Sequence, residues 1–301
     1  MKEITILSGK GGAGKTSVAA ALASLAENSV FCDCDVDAAD LHLILTPEIR
    51  EEHKFDSGSL AVINSELCTN CGLCEESCRF DAIHPNQNGL LKVNPFQCEG
   101  CRLCERICPA GAISTVDNTN NRWFVSDTRF GPMVHARMGA GEENSGRLVT
   151  EIRRKAREIA LNQNAATIIS DGPPGIGCPV IASLTGTDLV LMVIEPSVSG
   201  LHDAQRMYEL VQSFRLPVFA VINKFDINRE ITQRTENFLA ENKIPLLGKI
   251  PFETDLVESI IHAKTITEFA PNNSVSKELK TIWQKIVASV KPERNKKEIQ
   301  I

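Results

Sequence analysis

Near the start of the chain, Gly9-Lys10-Gly11-Gly12-Ala13-Gly14-Lys15-Thr16 packs glycines, a closing lysine and a hydroxyl into one short run. Glycines let backbone N–H groups turn inward, and a curl of such groups holds phosphate oxygens. An apolar run, Ile4-Thr5-Ile6-Leu7, precedes it, and an alanine-rich segment from Ser17 to Ala26 follows. That order predicts strand, loop and helix, which sets the positive end of a helix beside the same anion. In this P-loop reading Gly9 to Ser17 hold ATP or ADP, Lys15 reaches the β- and γ-phosphates, and the Thr16 hydroxyl binds Mg²⁺. An ordinary glycine turn is the competing reading, and it accounts for neither flanking element.

Cysteine supplies the second chemistry. Eight of the eleven cysteines fall in two matching blocks, Cys68-x₂-Cys71-x₂-Cys74-x₃-Cys78 and Cys98-x₂-Cys101-x₂-Cys104-x₃-Cys108-Pro109. Phe80-Asp81-Ala82-Ile83 continues the first block and Ala110-Gly111-Ala112-Ile113 the second, so the region is an internal duplication. The double pattern resembles the signature of bacterial ferredoxins. The resemblance implies two [4Fe–4S] clusters, the fourth cysteine of each block reaching the other cube. Cluster one would take Cys68, Cys71, Cys74 and Cys108, and cluster two Cys98, Cys101, Cys104 and Cys78. Structural zinc is the alternative, although zinc sites usually group cysteines in pairs. Arg79 stands where the second block has Pro109, a departure that ligation should survive. A module this short buries little apolar surface, so metal–thiolate bonds are expected to hold it together.

Lys10 adds a second, early lysine to the phosphate loop. With it the loop resembles the deviant Walker A motif of the MinD/ParA/nitrogenase-iron-protein class of ATPases. In that class the early lysine crosses a dimer interface, so the resemblance implies an ATP-sandwich homodimer with Lys10 on the partner's nucleotide. The acid-rich stretch Asp33-Cys34-Asp35-Val36-Asp37 follows a second apolar strand, where ligands bind in open α/β sheets. It is similar to the switch I region of the class. Asp35 is the position matched, orienting the attacking water and the Mg²⁺ shell, with Asp33 and Asp37 as weaker candidates and no role for Asp40. Asp171 ends the apolar run Ala166–Ser170, and Asp171-Gly172-Pro173-Pro174-Gly175 resembles switch II, with Asp171 toward Mg²⁺. Asn223, in Asn223-Lys224-Phe225-Asp226, is implied to read the adenine edge, with Pro251 and Phe252 against the base. Guanine is the minority alternative for that motif. Cys178 lacks the second cysteine needed for a cluster shared across a dimer, and Cys32 and Cys34 are read as packing residues.

The elements needed to position these groups are those of an α/β protein: a mostly parallel P-loop NTPase sheet with helices on both faces. The resemblances divide the chain into residues 1–60 and 118–301 for the ATPase domain, with residues 61–117 inserted as a small α+β ferredoxin-like module. Further strands are expected at Leu189–Ile194, Val218–Ile222 and Leu246–Ile250, and a last helix from about Val275 to Val290. Residues 48–59 turn polar and read as a break, and 118–146 as a linker or coupling loop around a strand at Trp123–Val125. His135 and Arg137 have no assignment there. A net charge of −6 gives no nucleic-acid footprint, and the basic run Arg153-Arg154-Lys155-Arg157 reads as a solvated helix face. No apolar run is long enough for a membrane span, the tail 291–301 is too charged for a membrane-binding helix, and a cytoplasmic location is expected. The expected activity is ATP hydrolysis by a homodimer, coupled to low-potential electron transfer toward a redox partner protein. The rival is an Mrp-like carrier delivering clusters to an acceptor protein.

Overall fold

The computed structural model describes residues 1–55, 58–95, 97–117, 121–139 and 145–290. Alternation along the first strand decides which faces are covered. Strand β1 (Lys2–Ser8) points Ile4 and Ile6 to one side of the sheet and Leu7 to the other, all buried. A strand buried on both faces must have helices above and below, the signature of a parallel α/β sheet. After β1 come α1 (Lys15–Leu25), β2 (Ser29–Asp33), α2 (Leu41–Leu45) and β3 (Glu48–Phe55). Then follow β4 (Ser59–Ile63), α3 (Leu73–Glu76), β5 (Ile83–Pro85), β6 (Leu91–Val93), α4 (Leu103–Ile107) and β7 (Ile113–Asp117). The chain continues through β8 (Asn121–Thr128), β9 (Gly131–Arg137), α5 (Ser145–Asn162), β10 (Thr167–Pro174) and α6 (Cys178–Leu184). Next are β11 (Leu189–Ile194), α7 (Val198–Ser213), β12 (Val218–Asn223), α8 (Arg229–Glu241) and β13 (Leu246–Ile250). The last three elements are α9 (Thr254–Ile261), α10 (Ile266–Phe269) and α11 (Ser274–Val290).

The large sheet runs β13-β12-β11-β1-β10-β2-β9-β8-β3. Strands from β13 to β9 are parallel, whereas β8 pairs antiparallel with both β9 and β3. Helices α1, α2, α10 and α11 cover one face, and α5 to α8 the other. The C-terminal ends of β1, β2, β10, β12 and β13 share one edge, which is where such sheets bind ligands.

Residues 48–55 correct the expectation of a break. They form β3, an edge strand whose side chains are mostly exposed, so its polar composition suits the solvent instead of ending the sheet. Residues 131–137 are likewise a strand, β9, inserted between β2 and β8. The basic run on α5 also reads differently. Arg153 is 3% exposed and donates from Nε to Glu3 Oε1 at 2.8 Å, and Arg157 donates to Glu3 Oε2 at 2.7 Å. Only Arg154 and Lys155 of that run make the surface ion pairs of a solvated face, with Glu151 and Glu158. Residues 140–144 and the tail 291–301 lie outside the described residues.

Between β3 and β8 the chain builds two small sheets, β4 with β7 and β5 with β6, around α3 and α4. Their apolar centre is Ala61, Ile83, Leu91 and Ile113 with Cys74, and Cys78, Cys98, Cys104 and Cys108 pack against it.

Candidate functional site

The loop between β1 and α1 has the backbone its glycines predict. Gly12 and Gly14 have φ of 78° and 89°, and a Cβ on Gly14 would collide with the Asn223 side chain. Gly9 is equally constrained, since a Cβ there would strike the backbone of Asp203. Lys15 opens α1 and is 5% exposed. Its Nζ donates to Asp35 Oδ2 at 3.1 Å and to Asp171 Oδ1 at 3.2 Å. Burial works against its charge, and Asp171 and Asp35 outweigh it, holding the ammonium above the ordinary lysine range. Asp171 keeps its second oxygen, Oδ2, buried without a partner among the described residues. Burial raises the pKa of Asp35 above the usual carboxylate range, with Lys15 opposing.

Asp33 shapes the site without facing the cleft. Its Oδ1 accepts from the Asp35 N–H and its Oδ2 from the Leu41 N–H, both at 3.2 Å, so it ties the turn after β2 to the start of α2. Full burial, then the Asp171 charge, raises its pKa well above normal.

A cleft of about 500 Å³ lies over these groups. Gly11, Gly12, Gly14, Lys15, Thr16, Ser17 and Asp35 line one side, and Asn223, Pro251 and Phe252 another. Ala13 is buried beneath the loop. The Asn223 amide donates to the Ala13 carbonyl at 2.9 Å, so its N–H is engaged with the phosphate loop. Lys224 reaches the Gly12 carbonyl at 3.0 Å, and Asp226 accepts from the Phe252 N–H at 2.7 Å. The Asn-Lys-x-Asp motif thus ties the phosphate loop to the loop carrying Phe252. Sequence reading missed Lys224 and Asp226 in this role. It also missed Asp40, Leu43 and Ile44 on one wall and Leu256, Val257 and Ile260 on the other. Val257, Ile260 and Ile261 are 53%, 40% and 73% exposed on α9, an apolar excess that was the available signal.

Lys10 stays with its own chain, donating to Ser197 Oγ at 3.0 Å and lying 3.4 Å from Glu195. Ser197 also caps α7, accepting from the Gly200 N–H at 3.0 Å.

A profile of the CobQ/CobB/MinD/ParA nucleotide binding domain matches residues 4–266. The chain belongs to this family. An uncharacterised protein of Methanocaldococcus jannaschii is 32% identical over 287 residues, covering 94% of this chain and 96% of its own. The septum site-determining protein MinD of Buchnera aphidicola is 24% identical, with 85% of this chain and 80% of that protein covered. Among solved structures, MinD of Pyrococcus horikoshii complexed with Mg-ADP superimposes with a TM-score of 0.58 at 17% identity. That alignment spans 97% of this chain and 99% of MinD. The family fold is therefore an α/β, mostly parallel P-loop sheet of the MinD type. Among the described residues no helix is long and apolar enough to cross a membrane.

The cysteine blocks repeat in structure as they do in sequence. Gly72 and Arg102, at the same offset in the two blocks, have φ of 78° and 61°, and each precedes a short helix, α3 or α4. Asp81 and Gly111 match again at 52° and 57°. The Ala82 N–H donates to Cys78 Sγ at 3.4 Å and the Ala112 N–H to Cys108 Sγ at 3.3 Å. Cys74, Cys78, Cys98, Cys101 and Cys104 line one recess, and Cys68 and Cys108 lie close enough to Cys74 to raise its pKa, after burial. Cys71 and Cys101 are exposed. Among the described residues no group of three or more His, Cys, Asp or Glu side chains is placed to hold a metal ion. Cys178 is an exposed free thiol at the start of α6, whereas Cys32 and Cys34 are buried with sulfurs 3.5 Å apart.

Proposed function

We propose that this family member is an ATP-hydrolysing homodimer whose nucleotide state governs low-potential electron transfer through two [4Fe–4S] clusters. The observation that carries the hydrolase half is the buried trio of Lys15, Asp35 and Asp171, with Asp171 Oδ2 unpartnered. An unpaired buried carboxylate oxygen is costly, and Mg²⁺ with its water shell is a suitable partner for it. Arriving phosphates would draw Lys15 toward them and free Asp35 to orient water, while Asp171 and Thr16 would hold Mg²⁺, which would neutralise charge on the phosphates. The P. horikoshii MinD structure is a complex with Mg-ADP, which supports the same ligand here. Two subunits facing across their clefts would let Lys10 exchange Ser197 and Glu195 for the partner's phosphates.

The redox half is supported by the duplicated thiol frame. A cube offers four irons, one per thiolate, so its ligands surround a body instead of converging on a single ion. The donor set fits that need: eight thiols in two symmetry-like blocks, with backbone N–H groups already aimed at Cys78 and Cys108. When bound, such clusters supply one-electron transfer at low potential. Chain residues set their environment, through those N–H···S bonds and through burial of Cys74. The favoured partner is a redox protein docking near the exposed Cys71 or Cys101; the alternative is an acceptor protein receiving a whole cluster.

An EPR redox titration with and without Mg-ATP tests the coupling. Nucleotide-dependent midpoints are expected, and midpoints identical in ATP, ADP and nucleotide-free protein would refute it. Transfer of iron to an apo-ferredoxin, in place of dye reduction, would select the carrier reading.

A further inference from the structure

Alternate residues of one loop and one helix face two different cavities. Ala38 and Asp40 line the nucleotide cleft, whereas Asp37 and Ala39 line a second cavity of about 640 Å³. In and after α2, Leu43 and Ile44 face the cleft, and His42 and Thr46 the second cavity. The segment following Asp35 is thus a partition with a pocket on either side. The far pocket is floored by Phe124 of β8 and by His135 and Arg137 of β9. Its volume is that of a small-molecule site.

Its polar groups are arranged for recognition. The rings of His42 and His135 stack with centroids 5.9 Å apart, and Phe124 stacks on His135 at 5.1 Å. Ser126 Oγ lies 2.9 Å from His135 Nε2, which fixes that ring, while His42 Nδ1 is buried with no partner among the described residues. Arg122 is paired with Glu52. The guanidinium of Arg137, its exposed cross-strand neighbour, makes no hydrogen bond or ion pair among the described residues. Asp37, which is exposed, is the remaining acid on the wall.

We propose that this cavity binds a small oxyanion, a carboxylate or phosphate group on a compact organic molecule, held by Arg137 and the His42 imidazole. A guanidinium takes such groups in bidentate fashion, and an unpaired buried imidazole nitrogen gains most from a new partner. Because the partition is shared, filling one pocket shifts the affinity of the other, and the two shifts are equal. The coupling rests on the nucleotide reading of the cleft; binding of the anion does not.

The test uses the full chain, prepared anaerobically with its metal, labelled with ¹⁵N-histidine and saturated with Mg-ADP so that added phosphate finds the phosphate loop filled. Succinate and orthophosphate are titrated separately while the imidazole signals of His42 and His135 are followed. Saturable shifts of both rings are expected with at least one probe, and the probe that saturates identifies the chemistry. Arg137→Ala should weaken that binding about tenfold while its thermal unfolding matches that of the parent. Linear, unsaturable shifts with both probes, or equal affinity in Arg137→Ala, would overturn the site. If the anion binds but ADP affinity is the same with and without it, the shared wall transmits nothing. Failure of the parent protein to bind ADP would strike the ATPase reading instead, leaving the succinate arm of the histidine titration interpretable.

Discussion

Lys15 is the residue on which the cleft's electrostatics turn. It neutralises two carboxylates that are themselves nearly buried, at 3.1 and 3.2 Å. Lys15→Ala should abolish ATP turnover and weaken nucleotide binding at least about tenfold; steady-state hydrolysis with equilibrium binding decides it, and unchanged turnover rejects the phosphate-loop role. Lys10→Ala should behave differently, keeping ATP affinity while losing hydrolysis that depends on dimer formation. Full activity at every protein concentration would dismiss the cross-interface lysine. Asp226 offers a subtler case, because its bond to the Phe252 N–H holds the loop against the cleft. Losing one partly exposed hydrogen bond is worth about 1 kcal/mol, so Asp226→Ala should raise KM for ATP severalfold with kcat retained. An unchanged KM would show that Phe252 needs no such tether.

Among the elements, legibility in the sequence followed burial. The strands β1, β2, β10, β11 and β12 are apolar runs because both of their faces are covered, and an apolar run can be read without knowing its neighbours. The edge strand β3 carries Glu48, Arg50, Glu51, Glu52 and Lys54 in water, so nothing in its composition separates it from a loop. Strand β9 opens with Gly131-Pro132, a turn signal, and is held by a hairpin with β8 and by β2, some hundred residues earlier in the chain. Arg153 is the matching case among helices: its helical phase was visible, but its burial depends on Glu3 of β1, one hundred and fifty residues away. Arg153→Ala strands that carboxylate with Arg157 alone and should cost about 3 kcal/mol, read from denaturant midpoints. His135 gives the β8–β9 pair a pH signature. Burial, then His42 and Arg137, pushes its pKa from 6.5 down to about 4. The unfolded chain therefore takes up a proton that the folded one refuses between those values, and stability rises with pH through that window. About 3 kcal/mol is fully present above pH 6.5 and lost as the pH falls toward 4. A His135→Gln variant should lack that slope, and an unaltered acid limb would reassign it.

At the scale of the whole molecule, the two halves differ in what holds them. The nine-stranded sheet has helices on both faces and three extended apolar clusters. The segment from β4 to β7 has one small cluster, of which Ala61, Ile83, Leu91 and Ile113 are the non-cysteine members. A core of that size does not offset the chain entropy of ordering the segment, and on the two-cluster reading metal–thiolate bonds supply the remainder. The segment leaves the sheet after β3 and returns at β8, which pair with each other across seven residue positions. That hairpin-like base can persist when the segment above it melts. Removing iron with a chelator should therefore yield protein that is cut by protease between residues 59 and 117 while the sheet still binds ADP and unfolds cooperatively. Before chelation, about eight irons per chain are expected from two cubes. If chelation leaves the segment resistant to protease, thiolate–metal bonds are not what orders it. If it destroys ADP binding as well, the two parts fold as one, and the insertion is no longer separable from the ATPase that carries it.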